Sequence, residues 1–228
     1  MKIAEIFYSI QGEGKLTGMP SVFIRTSGCN LRCVWCDSPY TSWKPEGEDV
    51  SINEILNQVS KYKCRHVVLT GGEPLISVDV EELTQRLRAT GNHLTIETAA
   101  TVWREVECDL ASISPKLANS TPWERESGRF AEAHEKNRIN FETIKRFMEL
   151  GDYQLKFVVD QAQDLMEIDE LLSQLGPVEP SNVLLMPQGI TCDELASRGA
   201  WLADICKQRG FRFCPRLHIA LYGNMRGT

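Results

Sequence analysis

The feature that most constrains the fold of this chain is a repeated alternation of short β-rich runs with amphipathic segments. Residues 21–26, 66–70 and 93–98 are predicted strands, and residues 52–62 and 80–89 carry apolar side chains at helical spacing. Strands and helices that alternate through short connections are typical of parallel βα units. The first half of the chain therefore predicts an α/β fold.

The alternation continues toward the C-terminus. It predicts further strands at 110–114, 154–159, 183–186 and 212–217, and further helices at 140–150, 165–175 and 192–209. Residues 118–137 interrupt the pattern because they are polar, mixed in charge and weakly patterned. We expect this excursion to be a functional or mobile insertion.

Either an open doubly wound sheet or a barrel accommodates this order, and 228 residues is short for a complete eightfold barrel of about 250. The residues that carry chemistry lie at or just after predicted strand ends, at 25–36, 70–74, 97–98, 114–116, 186–189 and 216–218. Sites that converge from several strand ends are the barrel arrangement. We predict a single domain over residues 1–228, folded as a partial, incomplete TIM-like βα barrel.

Three cysteines, Cys29, Cys33 and Cys36, lie within eight residues, a density typical of soft-metal ligands or of a disulfide framework. A group of three fits neither a four-cysteine zinc site nor paired bridges, and no second cysteine pair accompanies it. A zinc knuckle with a distant fourth ligand is the alternative. Because thiolates are the natural ligands of iron–sulfur clusters, we expect a cluster with three protein ligands and one open position.

The charge composition argues against several classes of partner. The formal net charge is -6, and no run of Lys and Arg forms a basic stripe, so nucleic-acid binding is disfavoured. No stretch of about 18 apolar residues predicts a membrane span, and the N-terminus has no signal-peptide pattern. We therefore expect a cytoplasmic protein, and we expect the isolated cysteines to be reduced core thiols: Cys64, Cys108, Cys192, Cys206 and Cys214.

The spacing Cys29-x3-Cys33-x2-Cys36, with the aromatic Trp35 before the last cysteine, resembles the signature of the radical S-adenosylmethionine (SAM) superfamily. The resemblance implies a [4Fe-4S] cluster whose fourth iron is chelated by SAM, and reductive cleavage of SAM to a 5'-deoxyadenosyl radical. Thr70-Gly71-Gly72-Glu73-Pro74 resembles the superfamily's second element, a strand end that meets the methionine part of SAM. Glycines suit this role because they let the backbone approach a ligand without a Cβ.

Further motifs narrow the resemblance to the 7-carboxy-7-deazaguanine synthases. They are the run 5–14 ahead of the cysteines, Phe23-Ile24-Arg25, Cys36-Asp37-Ser38, Ser114-Pro115-Lys116, Leu217-His218 and the run 222–227. The resemblance is close over residues 3–40 and continues as spaced motifs beyond. It implies a lyase that converts 6-carboxy-5,6,7,8-tetrahydropterin to 7-carboxy-7-deazaguanine with release of ammonia, a step toward queuosine and related 7-deazapurines.

The resemblance implies that the Ser38 hydroxyl binds Mg²⁺, a cation that keeps several waters and needs few protein ligands. Family members often have threonine there, and serine lacks the methyl group that restrains the rotamer. Without the resemblance, Ser38 would be part of a turn and Lys116 an ordinary surface lysine. The residues that the resemblance assigns to SAM are Trp35, Cys36, Asp37, Gly71, Gly72, Glu73, Ser114, Pro115 and Lys116.

The pterin side follows from the same resemblance. Arg25 presents a fork that matches a carboxylate, with a surface salt bridge as its structural alternative. Glu13 is expected to accept from pterin N–H groups, and His218 either borders the pterin or is a structural hydrogen-bonding group. The other three histidines, at 66, 93 and 134, are expected to be structural or solvent-facing. The full pterin set is Ile10, Gln11 and Gly12, through backbone groups, with Glu13, Arg25, Thr70 and His218.

The resemblance further implies a homodimer and a reducing electron donor such as a flavodoxin. The chain departs from the smallest family members in the excursion at 118–137 and in the residues past Leu221. Because family members can use their C-terminal end to close on the substrate, we expect the segment 212–228 to close the substrate site.

Two other functions stay open at this point. A radical SAM activase, which generates a glycyl radical on a partner protein, would share the cysteine loop and the glycine element. Such an activase needs a groove for a polypeptide rather than a carboxylate pocket. A non-enzymatic electron carrier or a zinc module is the second alternative, although a carrier would normally complete its cluster with a fourth cysteine.

Overall fold

Nine strands and eight α-helices make up the fold, and the structure, a computed structural model, describes all 228 residues. The strands are β1 (Lys2–Ile10), β2 (Pro20–Thr26), β3 (Glu48–Asp49), β4 (His66–Gly71), β5 (His93–Thr98), β6 (Leu110–Ile113), β7 (Asp152–Val159), β8 (Val183–Pro187) and β9 (Arg212–Phe213). The helices are α1 (Pro39–Ser42), α2 (Ile52–Ser60), α3 (Val80–Ala89), α4 (Ala131–Asn137), α5 (Phe141–Glu149), α6 (Asp164–Leu175), α7 (Cys192–Arg209) and α8 (Leu217–Tyr222). Short 3₁₀ turns occur at Pro74–Ile76, Ala118–Ser120, Arg125–Gly128 and Pro180–Asn182.

All nine strands belong to one sheet with the order β3-β1-β2-β4-β5-β6-β7-β8-β9. β1 is antiparallel to β2 and to β3, and every neighbouring pair from β2 to β9 is parallel. A doubly wound sheet reverses its strand order at a switch point, whereas these parallel strands follow one another in chain order, as in a barrel. Because β3 and β9 do not pair, the barrel stays incomplete. The predicted fold class is confirmed.

Each parallel strand sends alternate side chains to two different surroundings. In β2, Val22 and Ile24 belong to the main core between the sheet and the helices, whereas Phe23 and Arg25 point to the opposite, inner face. In β7, Phe157 packs into the main core and its neighbour Lys156 reaches the inner face. This is the two-residue period of a strand, and it delivers one set of residues to the core and the other to the interior of the open barrel.

The helices begin and end where their sequences supply caps. Ser51 and Glu54 form a reciprocal capping box at the start of α2, and Thr191 and Glu194 form another at the start of α7. α7 ends at Arg209, and the left-handed backbone of Gly210 after it allows the Phe211 N–H to bond to the Cys206 carbonyl at 3.0 Å. The predicted bounds of α3 and α7 agree with the structure; such signals mark both ends of α7, whereas Asp79, before α3, makes no side-chain cap bond.

Two parts of the fold differ from the prediction. The sequence pattern does not predict β1, because its inward and outward residues are not cleanly alternating in polarity. The predicted strand at 212–217 is wrong beyond Phe213. Cys214 still donates its N–H to the Leu185 carbonyl, but Pro215 has no N–H to continue the ladder, and the chain turns into α8.

The excursion at 118–137 is ordered and contains secondary structure that the sequence did not predict. Two 3₁₀ turns and α4 fold it back onto the chain. Its residues Ser120, Ala131 and His134 are buried. The expectation of mobility is therefore not supported by its packing.

No α-helix of the fold combines the length and the apolar character that a bilayer crossing requires.

Candidate active site

A cavity of about 300 Å³ opens at the C-terminal ends of the parallel strands. Its walls come from the inner faces of the strands, from the loop that carries the three cysteines and from the end of the chain. Every predicted site residue lines it except Glu73 and Pro115, which lie behind its wall. Residues more than 200 positions apart in sequence thus meet in one place, as the strand-end argument predicts.

The three cysteines face this cavity from the segment 29–36, called the cysteine loop below. All are free thiols, and Cys33 is buried while Cys29 and Cys36 are half-buried. Leu31 donates its N–H to Cys29 Sγ at 3.3 Å, and Cys36 Sγ lies 3.2 Å from Ser42 Oγ. Hydrogen bonds to sulfur of this kind are among the protein's means of tuning an iron–sulfur cluster.

The chemistry of the loop fits a cluster better than a single metal ion. A zinc knuckle would need a fourth ligand beside the three cysteines, and no second cysteine pair accompanies them in the sequence. Burial raises the pKa of Cys29 and of Cys33 to about 12, so neither thiol ionises by itself at neutral pH. Coordination to iron is what turns a buried thiol into a thiolate. The three residues therefore suit a [4Fe-4S] cluster.

The glycine element lies directly against the cysteine loop. Glu73 donates its N–H to the Gly28 carbonyl at 2.9 Å, and Gly72 donates to the Thr26 carbonyl at 3.3 Å. A Cβ on Gly72 would lie 2.1 Å from the Gly28 carbonyl oxygen, and Gly71 has a φ of 144° with Thr26 O 2.3 Å from an added Cβ. Only glycine permits this approach of two backbone segments.

The side chain of Glu73 does not reach the cavity. Its carboxylate accepts from Thr98 Oγ1 at 2.7 Å, from Ala99 N at 2.8 Å and from Leu75 N at 3.3 Å. Burial raises the pKa of Glu73 despite these bonds. In this structure Glu73 joins the glycine element to the end of β5. Its neighbour in the SAM set, Lys116, does face the cavity and donates to the Ser114 carbonyl and hydroxyl at 2.8 and 2.9 Å.

Gln11, Thr70 and Glu97 form a hydrogen-bonded group on the inner face. Gln11 Nε2 donates to Glu97 Oε1 at 3.1 Å, and Thr70 Oγ1 donates to Glu97 Oε2 at 2.8 Å. The backbone N–H of Gln11 is already bonded to Met19, and its carbonyl accepts from Gly18. Gln11 therefore acts in this structure through its side chain, by holding Glu97, rather than through its backbone.

Glu13 lies between Lys156, which the sequence did not assign to the site, and Arg216, which the sequence placed at a strand end without a role. Its carboxylate pairs with Lys156 Nζ and, at 2.9 Å, with Arg216 Nε. Burial alone would raise the pKa of Glu13, but the two cations outweigh it and hold that pKa far below its ordinary value. Glu13 thus stays ionised at the cavity wall. The signal for Lys156 was a lone lysine within an otherwise apolar strand.

Arg216 joins the Glu13 loop to the end of the cysteine loop. Besides Glu13, it pairs through Nη2 with Asp37, and its Nη1 donates to the Gly189 carbonyl at 2.6 Å. Asp37 in turn accepts from Ser38 Oγ at 3.2 Å. Each of the three guanidinium nitrogens donates to a different loop, so Arg216 fixes three separate loops at the cavity.

His218 and Gly12 are in close contact at the mouth of the cavity. A Cβ on Gly12 would lie 1.9 Å from His218 Nδ1, and the Gly12 carbonyl accepts from Leu217 N at 2.9 Å. Burial lowers the pKa of His218, so its imidazole is neutral at physiological pH. The close contact fixes the ring against the backbone and directs it into the cavity.

Arg25 lines the cavity. It also forms an ion pair, as the alternative interpretation of this residue in the sequence predicted. Its Nε donates to Glu5 Oε1 at 2.6 Å, whereas its two terminal nitrogens donate to no protein group. Tyr40 Oη donates to the same Glu5 oxygen at 2.7 Å. Glu5 therefore holds Arg25 by one edge and leaves the other free for a carboxylate.

Comparison with known proteins gives a consistent picture. The model of the radical SAM superfamily matches residues 23–156. A Rhodopirellula baltica protein named 7-carboxy-7-deazaguanine synthase is 50% identical over 227 residues, which cover 99% of this chain and 88% of that protein. A Halobacterium salinarum protein of the same name is 45% identical over 238 residues and covers 100% of this chain and 93% of its own. The crystal structure of QueE from Escherichia coli is similar with a TM-score of 0.70 and 29% identity, over 95% of this chain and 94% of that one.

The contact between the glycine element and the cysteine loop gives a direct prediction. A Gly72→Ala substitution places its methyl group against backbone atoms that cannot rotate away. We expect it to lower the free energy of unfolding by about 1–3 kcal/mol and to reduce the iron bound after anaerobic incubation with iron and sulfide. Gly199→Ala is the matched control, since its Cβ would lie 3.8 Å from Phe213 and cause no clash. Equal iron binding by the two variants would contradict the prediction.

Proposed function

The chain belongs to the 7-carboxy-7-deazaguanine synthases of the radical SAM superfamily, and from this premise we propose that its cavity holds the carboxylated pterin beside the cluster and SAM. The enzyme is a radical SAM lyase that converts 6-carboxy-5,6,7,8-tetrahydropterin to 7-carboxy-7-deazaguanine with release of ammonia. Its cofactors are a [4Fe-4S] cluster, SAM and Mg²⁺. The observation that carries the proposal for the site is that the three cysteines and the whole predicted pterin set line one cavity.

The alternative functions are not favoured. The relatives that carry the synthase name match this chain over nearly its whole length, which an activase of another substrate class would not explain. A simple electron carrier or zinc module is at odds with membership of a superfamily of SAM-dependent enzymes. The ion-paired, buried character of the cavity wall also suits a small charged molecule better than a polypeptide.

When bound, the cluster and SAM supply the radical that takes a hydrogen atom from the carboxylate-bearing carbon of the pterin. The task of the protein is to fix that carbon in place. The free edge of Arg25 receives the substrate carboxylate in a bidentate bond. Phe7 and Phe23, stacked 5.0 Å apart beside Arg25, give the planar ring an apolar wall.

The opposite edge of the pterin carries ring and exocyclic N–H donors. We assign their acceptors to Glu13 and to Glu97, since carboxylate oxygens keep accepting capacity after one ion pair. Lys156 and Arg216 keep Glu13 ionised and stop it from rotating. Gln11 and Thr70 fix the orientation of Glu97 by neutral hydrogen bonds. His218, held against Gly12, limits the room on the remaining side.

The SAM side of the cavity is assigned to the residues around the cysteine loop. Lys116 offers a point charge to a carboxylate, and Ser114 a hydroxyl beside it. The Gly71-Gly72 backbone gives a surface without side chains. Glu73 contributes by bracing this surface from behind, since its carboxylate is bonded to the end of β5.

We further propose that the whole chain acts as one domain, as a homodimer in the cytoplasm, with an electron supplied by a reduced carrier such as a flavodoxin. These points rest on the family expectation. Eight free cysteines and an oxygen-sensitive cluster suit a reducing compartment. Light scattering on the purified holoenzyme decides the oligomeric state.

The test of the reaction is direct. Anaerobically reconstituted enzyme, given a strong reductant, SAM, Mg²⁺ and the carboxylated tetrahydropterin, is expected to form 7-carboxy-7-deazaguanine, detected by mass spectrometry. Absence of product from enzyme with an intact cluster would refute the reaction. Consumption of SAM only in the presence of a protein with an accessible glycyl site would favour the activase instead.

The magnesium role of Ser38 has its own test. We expect Ser38→Ala to lower the turnover rate about tenfold and to make it insensitive to added Mg²⁺, because the variant loses the hydroxyl ligand. Ser38→Thr is the control, since it keeps the hydroxyl and should keep the wild-type Mg²⁺ dependence. If Ser38→Ala still responds to Mg²⁺ as the wild type does, the ligand is another group.

The C-terminal segment is proposed to close the cavity through Arg226. Its Nη1 pairs with Glu46 at 2.9 Å, its Nη2 donates to the Ala4 carbonyl at 3.1 Å, and its guanidinium lies 4.2 Å from the centre of the Tyr40 ring. Nearby Asn224, Met225 and Thr228 line the cavity. The side chain of Arg226 is 44% exposed, so each contact is weak and their sum is what holds the segment.

We expect Arg226→Ala to raise the KM for the pterin by about five- to tenfold, equivalent to about 1–1.4 kcal/mol, with little change in cluster content. The physical reason is loss of closure over a bound substrate rather than loss of a contact to the reacting atoms. Arg209→Ala is the matched control, because it breaks a bidentate pair with Asp169 away from the cavity. An unchanged KM in Arg226→Ala would contradict closure by this segment.

A further inference from the structure

The excursion at 118–137 is bound to the back of the cysteine loop. The repeating βα units do not need this segment, and the cavity does not use its residues. It nevertheless folds into two 3₁₀ turns and α4 and lies against residues 32–35. These contacts with the cysteine loop therefore indicate the role of the excursion.

Five hydrogen bonds join the excursion to the loop between the first and last cysteine, two of them from the Trp35 indole N–H to the carbonyl and the side-chain oxygen of Asn119. The backbone N–H of Val34 donates to the Ser120 carbonyl at 2.8 Å, and the Val34 carbonyl accepts from Arg125 Nη1 at 3.0 Å. Trp35 Nε1 donates to the Asn119 carbonyl at 3.0 Å. The remaining bond joins the backbone of the cysteine loop to the side chain of His134.

The backbone N–H of Arg32 donates to His134 Nδ1 at 3.0 Å. Since a backbone amide can only donate, Nδ1 must be the unprotonated nitrogen and the ring proton must sit on Nε2. Nε2 lies 2.8 Å from Ser120 Oγ, and that hydroxyl donates onward to the Leu117 carbonyl at 2.6 Å. His134 is only 1% exposed, so these are its permanent partners.

Most hydrogen bonds inside the cysteine loop involve a side chain: Leu31 N donates to Cys29 Sγ at 3.3 Å, and Arg32 Nη1 donates to the carbonyls of Cys29 and Leu31 at 2.7 and 2.8 Å. Cys36 N to the Cys33 carbonyl, at 3.2 Å, is its one internal backbone bond. The Cys33 carbonyl also accepts from Trp43 Nε1 at 3.0 Å. An Arg32 amide left without His134 would be an unpaired polar group beside the buried Leu31 and Cys33, which destabilises this conformation of the loop.

We propose that His134 is a positioning residue for the iron–sulfur cluster, and that the excursion is a cluster-supporting element which holds the cysteine loop in its ligating conformation from behind. His134 supplies an acceptor at a fixed place and in one tautomer, and Ser120 fixes that tautomer. The inference rests on the three cysteines holding a cluster and is independent of the identity of the pterin.

The test compares His134→Leu with His134→Gln in the full chain, reconstituted anaerobically. The leucine variant removes the acceptor, so we expect less iron per chain and bleaching of the cluster's visible absorption in air about five- to tenfold faster than in the wild type. Glutamine offers an oxygen to Arg32 and an N–H to Ser120, so it should restore iron content and bleaching rate to within about twofold. His93→Gln, at the start of β5, is the control and should behave as the wild type.

The outcomes separate a positioning role from general stability. Wild-type iron content and bleaching rate in His134→Leu overturn the proposal, and so does a loss of thermal stability with unchanged cluster properties. If His134→Leu fails to fold by circular dichroism, Ser120→Ala is decisive, because it keeps the imidazole and removes the hydroxyl that bonds to Nε2 and to the Leu117 carbonyl. A folded Ser120→Ala with faster bleaching supports the proposal, and one with the wild-type rate overturns it. Neither readout depends on whether the pterin is turned over.

Discussion

The pairing of β2 with β4 continues beyond the ends of both strands, and the arrangement of the whole site depends on it. The Gly72 and Glu73 amides bond to the carbonyls of Thr26 and Gly28, which are the residues that lead into the cysteine loop. Such bonds need two backbones in near contact, and only glycine at position 72 allows it. The register of β2 against β4 thus sets the position of the thiols relative to the glycine element. The buried apolar residues of the two strands fix that register.

A second constraint acts on the opposite wall of the cavity. Glu13, Lys156, Arg216 and Asp37 form a connected series of ion pairs at the cavity wall. Buried ion pairs contribute little net stability, since apolar residues of equal volume often stabilise as well or better. The role of this network is therefore to hold an ionised hydrogen-bond acceptor in one orientation at the cavity, rather than to stabilise the fold.

The sequence predicted those parts of the molecule that depend on local pattern or on a contiguous motif. Strand and helix order, the cysteine loop and the glycine element belong to this class, because each lies within a few neighbouring residues. Lys156 was not assigned from the sequence, and Arg216 was placed at a strand end without a role, because both residues act on a partner, Glu13, more than 140 positions away. The role of His134 was hidden for the same reason, since its partner is the amide of Arg32. The failed strand at 212–217 shows that one proline outweighs an apolar pattern when pairing must continue.

The incomplete barrel leaves its two sheet edges, β3 with β1 and β9, without a ladder between them. The chain spans this gap by separate contacts instead: the Leu217 amide to the Gly12 carbonyl, the Gly14 amide to Cys214 Sγ, the Arg216–Glu13 ion pair, and Arg226 to the Ala4 carbonyl. Side walls built of strands can change width only by breaking many cooperative bonds at once. A wall built of a few isolated contacts can part and re-form one contact at a time, so a reactant can enter and a product can leave sideways while the sheet that carries the cysteines stays rigid.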